Sequence, residues 1–245
     1  MKIIDFHSHI LPALDDGSKS IEMTERMLSA AKAQGIDAMV ATPHFYAERM
    51  RLTSYLQRRQ EAWERTRALA AGMGMELFLG AEVAFFSGIG RAEEIAELCI
   101  QGTSLMLVEM PFRPWSGKDL KEIERLLERG IRPIIAHLER FPSFQRDKSM
   151  VDELMEMPVL VQVNTGPLLR WTTRRPVLRW LKNGQVDLLG SDCHNLDSRA
   201  VNLAQGRQVI RQRLGQDVLD EIDRTGQQLL RPAQVQPDRP RTVRE

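Results

Sequence analysis

All five histidines of the chain, His7, His9, His44, His137 and His194, fall at or just beyond the end of a short apolar run. The acidic residues Asp16, Glu82, Glu109 and Asp192 occupy comparable places. A lone histidine is more often a satisfied core or surface imidazole than a ligand, and a lone acid is usually a solvated one. Here the pattern is joint. Mixed imidazole and carboxylate donors suit Mn, Fe(II), Co or Zn, and carboxylates bridge ions, so the set reads as a divalent-metal centre holding more than one ion. His7-Ser8-His9 has period-two spacing, which sends both imidazoles from one face of a strand toward one ion. Asp192-Cys193-His194 repeats that geometry with a carboxylate and an imidazole near the end of the pattern.

The elements that must position these residues follow from a repeat. AKAQG-IDAMVATPH, LLERG-IRPIIAH and LKNG-QVDLLGSDCH each run from a helical segment through a glycine into a buried-strand-length apolar run that ends on a polar residue. Gly35, Gly130 and Gly184 stand where a helix end needs a left-handed residue. Further apolar runs cover Lys2 to His7, Leu77 to Val83, Ser104 to Met110 and Val159 to Val163. Seven strands are therefore expected, alternating with amphipathic helices that carry stripes such as Thr24, Met27, Leu28 and Ala31, or Leu120, Ile123, Leu126 and Leu127. Ser116 and Asp119 have capping-box spacing. Alternating strands and helices predict an α/β fold with a parallel sheet. Polar residues at nearly every strand end favour barrel closure, with the reactive groups at the C-terminal mouth.

Bulk properties narrow the classes. The 245 residues suit a single α/β domain, and 34 basic against 33 acidic side chains provide no field for a dedicated nucleic-acid binder. Cys99 and Cys193 are too few for a disulfide scaffold. The N-terminus has no signal-peptide apolar run, and no stretch approaches about 18 apolar residues. A cytoplasmic protein without membrane insertion is expected. From Arg231 to Glu245 the proline- and arginine-rich chain reads as a flexible tail after a domain over 1–230.

HSHILPALDDG, ATPH, GAE, AHLER and SDCHN, in this order, resemble the polymerase-and-histidinol-phosphatase (PHP) superfamily. The DDG, AHLERF and DCHNLDSR segments are especially similar to the manganese-dependent tyrosine phosphatases of bacterial capsule and exopolysaccharide systems, the CpsB/CapC-like family, with the likeness running from Lys2 to about Leu230. The resemblance implies a PHP-type distorted (β/α)7 barrel and a trinuclear site, most often manganese, with iron, cobalt and zinc as the other suitable ions. Its implied ligands are His7, His9, Asp16, His44, Glu82, Glu109, His137, Asp192 and His194, with Glu82 bridging and Asp16 preferred to Asp15. Arg140 and Arg199 match the phosphate-binding arginines and, with Asp192 and His194, make up the implied catalytic set; the bland reading of each arginine is a solvated surface side chain.

The chain departs from the pattern at Phe45-Tyr46, where relatives carry further His or Arg, at Cys193, and at SIEMTERM, which lacks the acidic oligomerisation signature. An oligomer is compatible with the chain, but no ring is assumed. The implied activity is hydrolysis of phosphotyrosine on a partner, expected to be a tyrosine kinase controlling polysaccharide synthesis. The rivals are a small-molecule phosphatase such as one for histidinol phosphate, and a degenerate module that only binds. βα loops read as short would favour an open site that admits a protein chain.

Three other signals are weighed and set aside. Cys193 to Arg199 satisfies Cys-x5-Arg, the signature of thiolate phosphatases, but the loop has no glycine and Asp197 would repel the anion. Gly88-Ile89-Gly90 lacks the context of a dinucleotide fingerprint. Phe85-Phe86 and Pro111 to Trp115 follow ligand-bearing strands and are candidates to flank a phenyl ring, although such residues more often pack.

Overall fold

The computed structural model describes residues 1–147 and 149–231. The expected tail, apart from Arg231, lies outside the described residues. In chain order the elements are β1 (Ile4–Ser8), α1 (Ile21–Ala33), β2 (Ala38–Ala41), β3 (His44–Phe45), α2 (Leu52–Gly72), β4 (Glu76–Leu79) and β5 (Glu82–Ala84). They continue with β6 (Leu105–Glu109), α3 (Gly117–Glu128), β7 (Arg132–Ile135), α4 (Ser149–Glu156), β8 (Leu160–Asn164), α5 (Arg174–Lys182), β9 (Leu188–Gly190), α6 (Leu203–Leu214) and α7 (Gln216–Leu229).

Every strand pair is parallel, in the orders β1-β2-β4 and β3-β5-β6-β7-β8-β9. The sheet curls back on itself: Ser8 bridges Cys193, Asp192 N donates to His7 O at 2.8 Å, and His9 N donates to Cys193 O at 2.9 Å. The seven expected runs are present, but two are broken. Thr42-Pro43 separates β2 from β3, and Gly80-Ala81 separates β4 from β5. Pro43 has no N–H to offer a ladder, so pairing changes there from β1 and β4 to β5. The result is a distorted, half-barrel version of the regular closed ring.

Strand parity explains how a hydrophobic sheet carries a polar mouth. Leu105, Leu107 and Glu109 share one face of β6, and Leu160, Gln162 and Asn164 share one face of β8. The leading members join Phe6, Val40, Ile134 and Leu188 in an apolar floor, to which the end of α7 adds Leu229 and Leu230. The last member of each series lies at the C-terminal end and is polar. Outside the sheet, the stripe Thr24, Met27, Leu28 and Ala31 is the buried face of α1, and Leu120, Ile123 and Leu126 are buried on α3. Ser116 and Asp119 close the expected capping box, while Gly35, Gly130 and Gly184 have φ of 75°, 75° and 67°. Gly226 of α7 lies so close to the Phe6 ring that an added Cβ would meet it at 2.7 Å.

The loops at the mouth are not uniformly short. The connection after β7 does not reach α4 until Ser149, and the chain between β5 and β6 winds through two single-turn helices at Ile89–Arg91 and Ile95–Leu98.

Candidate metal centre

Eight of the nine nominated donors lie at strand ends: His7 and His9 on and after β1, His44 on β3, Glu82 on β5, Glu109 on β6, His137 after β7, and Asp192 and His194 after β9; the ninth, Asp16, lies on the loop between β1 and α1. His44 and Glu82 are directly opposite in the β3–β5 register. The β-strand geometry ends abruptly at two of these positions. His137 and Asp192 have φ of 32° and 55°, a left-handed backbone unusual for residues with a Cβ and characteristic of functional sites.

Glu82 is the hub. Its Oε2 lies 3.0 Å from His44 Nδ1, 3.1 Å from His7 Nε2 and 3.2 Å from His9 Nε2, while its Oε1 lies 2.9 Å from His137 Nε2. Despite those distances, Oε2 is buried and has no partner of hydrogen-bonding geometry. An unpaired carboxylate oxygen with three imidazole nitrogens at this range is the arrangement expected of ligands that share cations. His7 Nε2 and His9 Nε2 face each other at 3.1 Å. Glu109 Oε1 lies 3.3 Å from His137 Nε2, and Asp192 Oδ1 lies 3.4 Å from His9 Nε2 and 3.5 Å from His194 Nδ1. At the rim, Asp16 Oδ1 is 3.3 Å from His194 Nε2 and 3.6 Å from His44 Nε2. Three groups have ligand atoms within 4.8 Å of one another: His9-Asp16-His44-His194, His7-His9-Glu82 and His44-Glu82-Glu109. The donor set therefore fits divalent ions.

Behind these donors stands a layer that the motifs did not announce. Asp15 Oδ2 accepts from His9 Nδ1 at 2.6 Å and from His44 N at 2.9 Å, and its Oδ1 accepts from Gly17 N at 2.8 Å. With its Nδ1 proton fixed on Asp15, His9 presents the Nε2 lone pair inward. Asp16 points to the rim and is mostly exposed, so the adjacent acids divide the labour. Gln162 Oε1 lies 3.2 Å from His7 Nδ1 and accepts from His137 N at 2.8 Å, and its Nε2 donates to Asn164 Oδ1 at 3.0 Å. Asn164 Nδ2 then donates to Asp192 Oδ2 at 2.8 Å. The only sequence signal for this chain of contacts was the period-two Gln-x-Asn on β8, hidden among valines. Gly190 keeps the wall thin, since an added Cβ would lie 2.6 Å from His7 Cβ.

Burial would push Glu82 and Asp192 up, but the histidines around them hold both well below the usual carboxylate range. Burial favours neutral His9, which Asp15, Asp192 and Glu82 nonetheless raise well above the ordinary imidazole value. His137 stands at about 9 because Glu109 and Glu82 outweigh its burial, whereas burial and the neighbouring His9 lower His194 to about 4. Glu82 and Asp192 are thus held ionised by the imidazoles packed around them.

Two arginines cover it. Arg140 donates to Asp192 Oδ2 at 3.1 Å and Arg199 to Asp192 Oδ1 at 2.8 Å, and both side chains remain over one-third exposed. Arg199 is positioned by a tight loop in which Asn195 Oδ1 accepts from the backbone N–H of Asp197 and Arg199. Cys193, within the Cys-x5-Arg segment, is fully buried, and burial pushes its thiol up to about 12. That is the environment of an inert packing residue. Of the aromatic candidates, Phe112 stacks over His137 at 6.2 Å and stays 45% exposed. Trp115 is buried with its indole N–H on Pro111 O, and Phe85 and Phe86 pack against the core. Tyr46, in the segment where the chain departs from the family pattern, has its ring tilted against His44 at a centroid distance of 5.0 Å.

Fold and site together define a class: a curled parallel α/β barrel with a multi-histidine, multi-carboxylate centre at its C-terminal mouth. Residues 3–230 match the family model for capsular polysaccharide synthesis, CpsB/CapC, and the chain belongs to that family. It is 26% identical over 235 residues to the tyrosine-protein phosphatase CpsB of Streptococcus pneumoniae, covering 90% of this chain and 94% of that one. It is 25% identical over 246 residues to the tyrosine-protein phosphatase YwqE of Bacillus subtilis, covering 97% and 96%. The fold matches a solved structure from work on YwqE and CpsB, described as metal-dependent tyrosine phosphatases, with a TM-score of 0.81 at 23% identity over 98% of this chain and all of that one. A phosphotriesterase homology protein from Escherichia coli, solved with phosphate in its active site, shares the fold at a TM-score of 0.58 and 12% identity, over 94% of this chain and 99% of that one.

Proposed function

We propose that this chain is a metal-dependent phosphatase that removes phosphate from phosphotyrosine on proteins, in the cytoplasm, and thereby regulates a tyrosine kinase of capsule or exopolysaccharide synthesis. One observation carries the reading: eight donors from six strand ends, with Asp16 from the loop after β1, gather in one cluster centred on Glu82, beside two partly exposed arginines. His7, His9, Asp16, His44, Glu82, Glu109, His137, Asp192 and His194 would hold three ions, manganese before iron, cobalt or zinc. Divalent ions bound there supply Lewis acidity, which makes water a competent nucleophile near neutral pH and neutralises phosphoryl charge.

The chain's own side chains do the rest. Arg140 and Arg199 bind the phosphoryl oxygens and orient phosphorus toward the floor of the site. Asp192, held by both arginines and Asn164, keeps the guanidinium groups aimed before substrate arrives. Asp15 and Gln162 fix imidazole orientation. The phenolate leaving group, with a pKa of about 10, needs less protonation than a serine alkoxide.

The CpsB and YwqE relatives support the tyrosine-phosphatase reading over a histidinol-phosphate enzyme. The test is hydrolysis of a phosphotyrosyl peptide and of histidinol phosphate, before and after chelation and with manganese restored. The reading requires peptide turnover that vanishes with chelator and returns with metal. Preference for histidinol phosphate would overturn it.

A further inference from the structure

Exposed apolar side chains that gather into one patch mark a contact surface, and here they are concentrated. Five are exposed among the described residues: Met1, Phe112, Phe144, Leu169 and Trp171. All but Met1 sit on loops that border one groove beside the metal centre. The groove has a volume of about 570 Å³ and is walled by Phe112, Phe144, Pro167, Pro176 and Val177. It is continuous with the centre through shared side chains. Arg140 lines the groove and also donates to Asp192, and Phe112 lines it while stacking on His137. Phe112 and Phe144 meet edge to face at 5.5 Å, so the aromatic wall extends outward from the ligand cluster.

We propose that this groove binds the residue beside phosphotyrosine in the substrate peptide and selects for an apolar side chain there; the inference rests on the phosphatase reading above. The volume lies well within the range of ligand clefts and is larger than the reacting ring alone needs. Because Arg140 and Phe112 belong to both the groove and the rim of the centre, an occupant that runs from a phosphotyrosine held at the centre into the groove is the adjoining part of the same peptide. Arg170 and Arg175, exposed on the same bordering segment, add positive charge suited to a chain bearing phosphate.

The test uses the full manganese-loaded chain and four substrates: p-nitrophenyl phosphate, two phosphotyrosyl peptides that differ only in leucine or glycine flanking the phosphotyrosine, and phosphatidic acid vesicles. Burying one leucine side chain makes the expected preference for the leucine peptide about tenfold in kcat/KM, chiefly through KM. Phe144→Ala should bring that ratio to within about twofold, leaving p-nitrophenyl phosphate turnover unchanged, and Phe144→Leu should restore most of it. Equal use of the two peptides by the wild type, or a uniform loss across substrates in Phe144→Ala, would overturn the groove assignment while the phosphatase reading stands. Release of phosphate from the vesicles as fast as from the peptides would overturn it in favour of a lipid phosphate. Failure to hydrolyse any phosphotyrosine substrate with metal present would remove the phosphatase reading and this inference together.

Discussion

Asp15→Asn separates the positioning of a metal ligand from ligation itself. Asp15 is buried and makes three contacts, to His9 Nδ1, His44 N and Gly17 N. An asparagine is nearly isosteric, but only one of its two terminal atoms accepts. If its oxygen keeps the position shared by His9 and His44, its amide NH2 confronts the N–H of Gly17, and one buried donor is left unmet at a cost of about 1–3 kcal/mol. The variant also loses the charge that fixes the His9 proton on Nδ1. Removing such an orienting partner typically lowers metal affinity about 10- to 100-fold, which is about 1.4–2.8 kcal/mol and agrees with the hydrogen-bond figure. The expected result is an unchanged number of ions at saturating manganese, a dissociation constant raised by that factor in a competitive chelator titration, and activity that recovers at high metal. Asp16→Asn, by contrast, should reduce the number of ions bound. A full loss of one ion in Asp15→Asn together with normal stoichiometry in Asp16→Asn would refute the division assigned to these two acids.

Arg199→Ala should lower kcat/KM for a phosphotyrosyl peptide about 100- to 1,000-fold with metal content retained, read by steady-state kinetics beside elemental analysis; loss of the metal itself would show that the arginine is mainly structural. Cys193→Ala should keep activity within a few fold and remain sensitive to chelator, since the buried thiol is held at about 12; inactivation of a folded variant would revive a thiolate mechanism. Gly226→Ala forces a Cβ to 2.7 Å from the Phe6 ring and should cost about 1–3 kcal/mol in denaturant unfolding, with metal stoichiometry unchanged. Asp119 is held below the ordinary carboxylate range by Arg113 and by the Ser116 cap of α3, so its stabilisation is present above the unfolded value near 3.8 and is lost as pH falls through the folded one. The acid limb of a melting-temperature profile should therefore flatten in Asp119→Asn, and an unaltered limb would count against the pair.

The amino-acid order by itself determined the repeating helix–glycine–strand unit, the buried stripes of α1 and α3, and the donor types that end the strands. These are local properties: period 3.6, period 2 and left-handed helix ends depend on neighbours in the chain. The nine nominated donors could be named because the motifs that hold them resemble a family's, and most of them stand at the end of an apolar run. Local patterns do not fix distance between remote segments, and that is what the tertiary structure decided. Curling the sheet brings β9 against β1 and carries His7 and His9 to Asp192, and the break at Thr42-Pro43 turns His44 onto Glu82. Only with those contacts in place does Asp15 separate from Asp16, do Gln162 and Asn164 emerge as supports among strand valines, and does Cys193 prove sealed from solvent. The groove beside Arg140 is likewise invisible in sequence, since its walls come from three loops and the start of α5, which meet only because parallel strands deliver them to the same mouth.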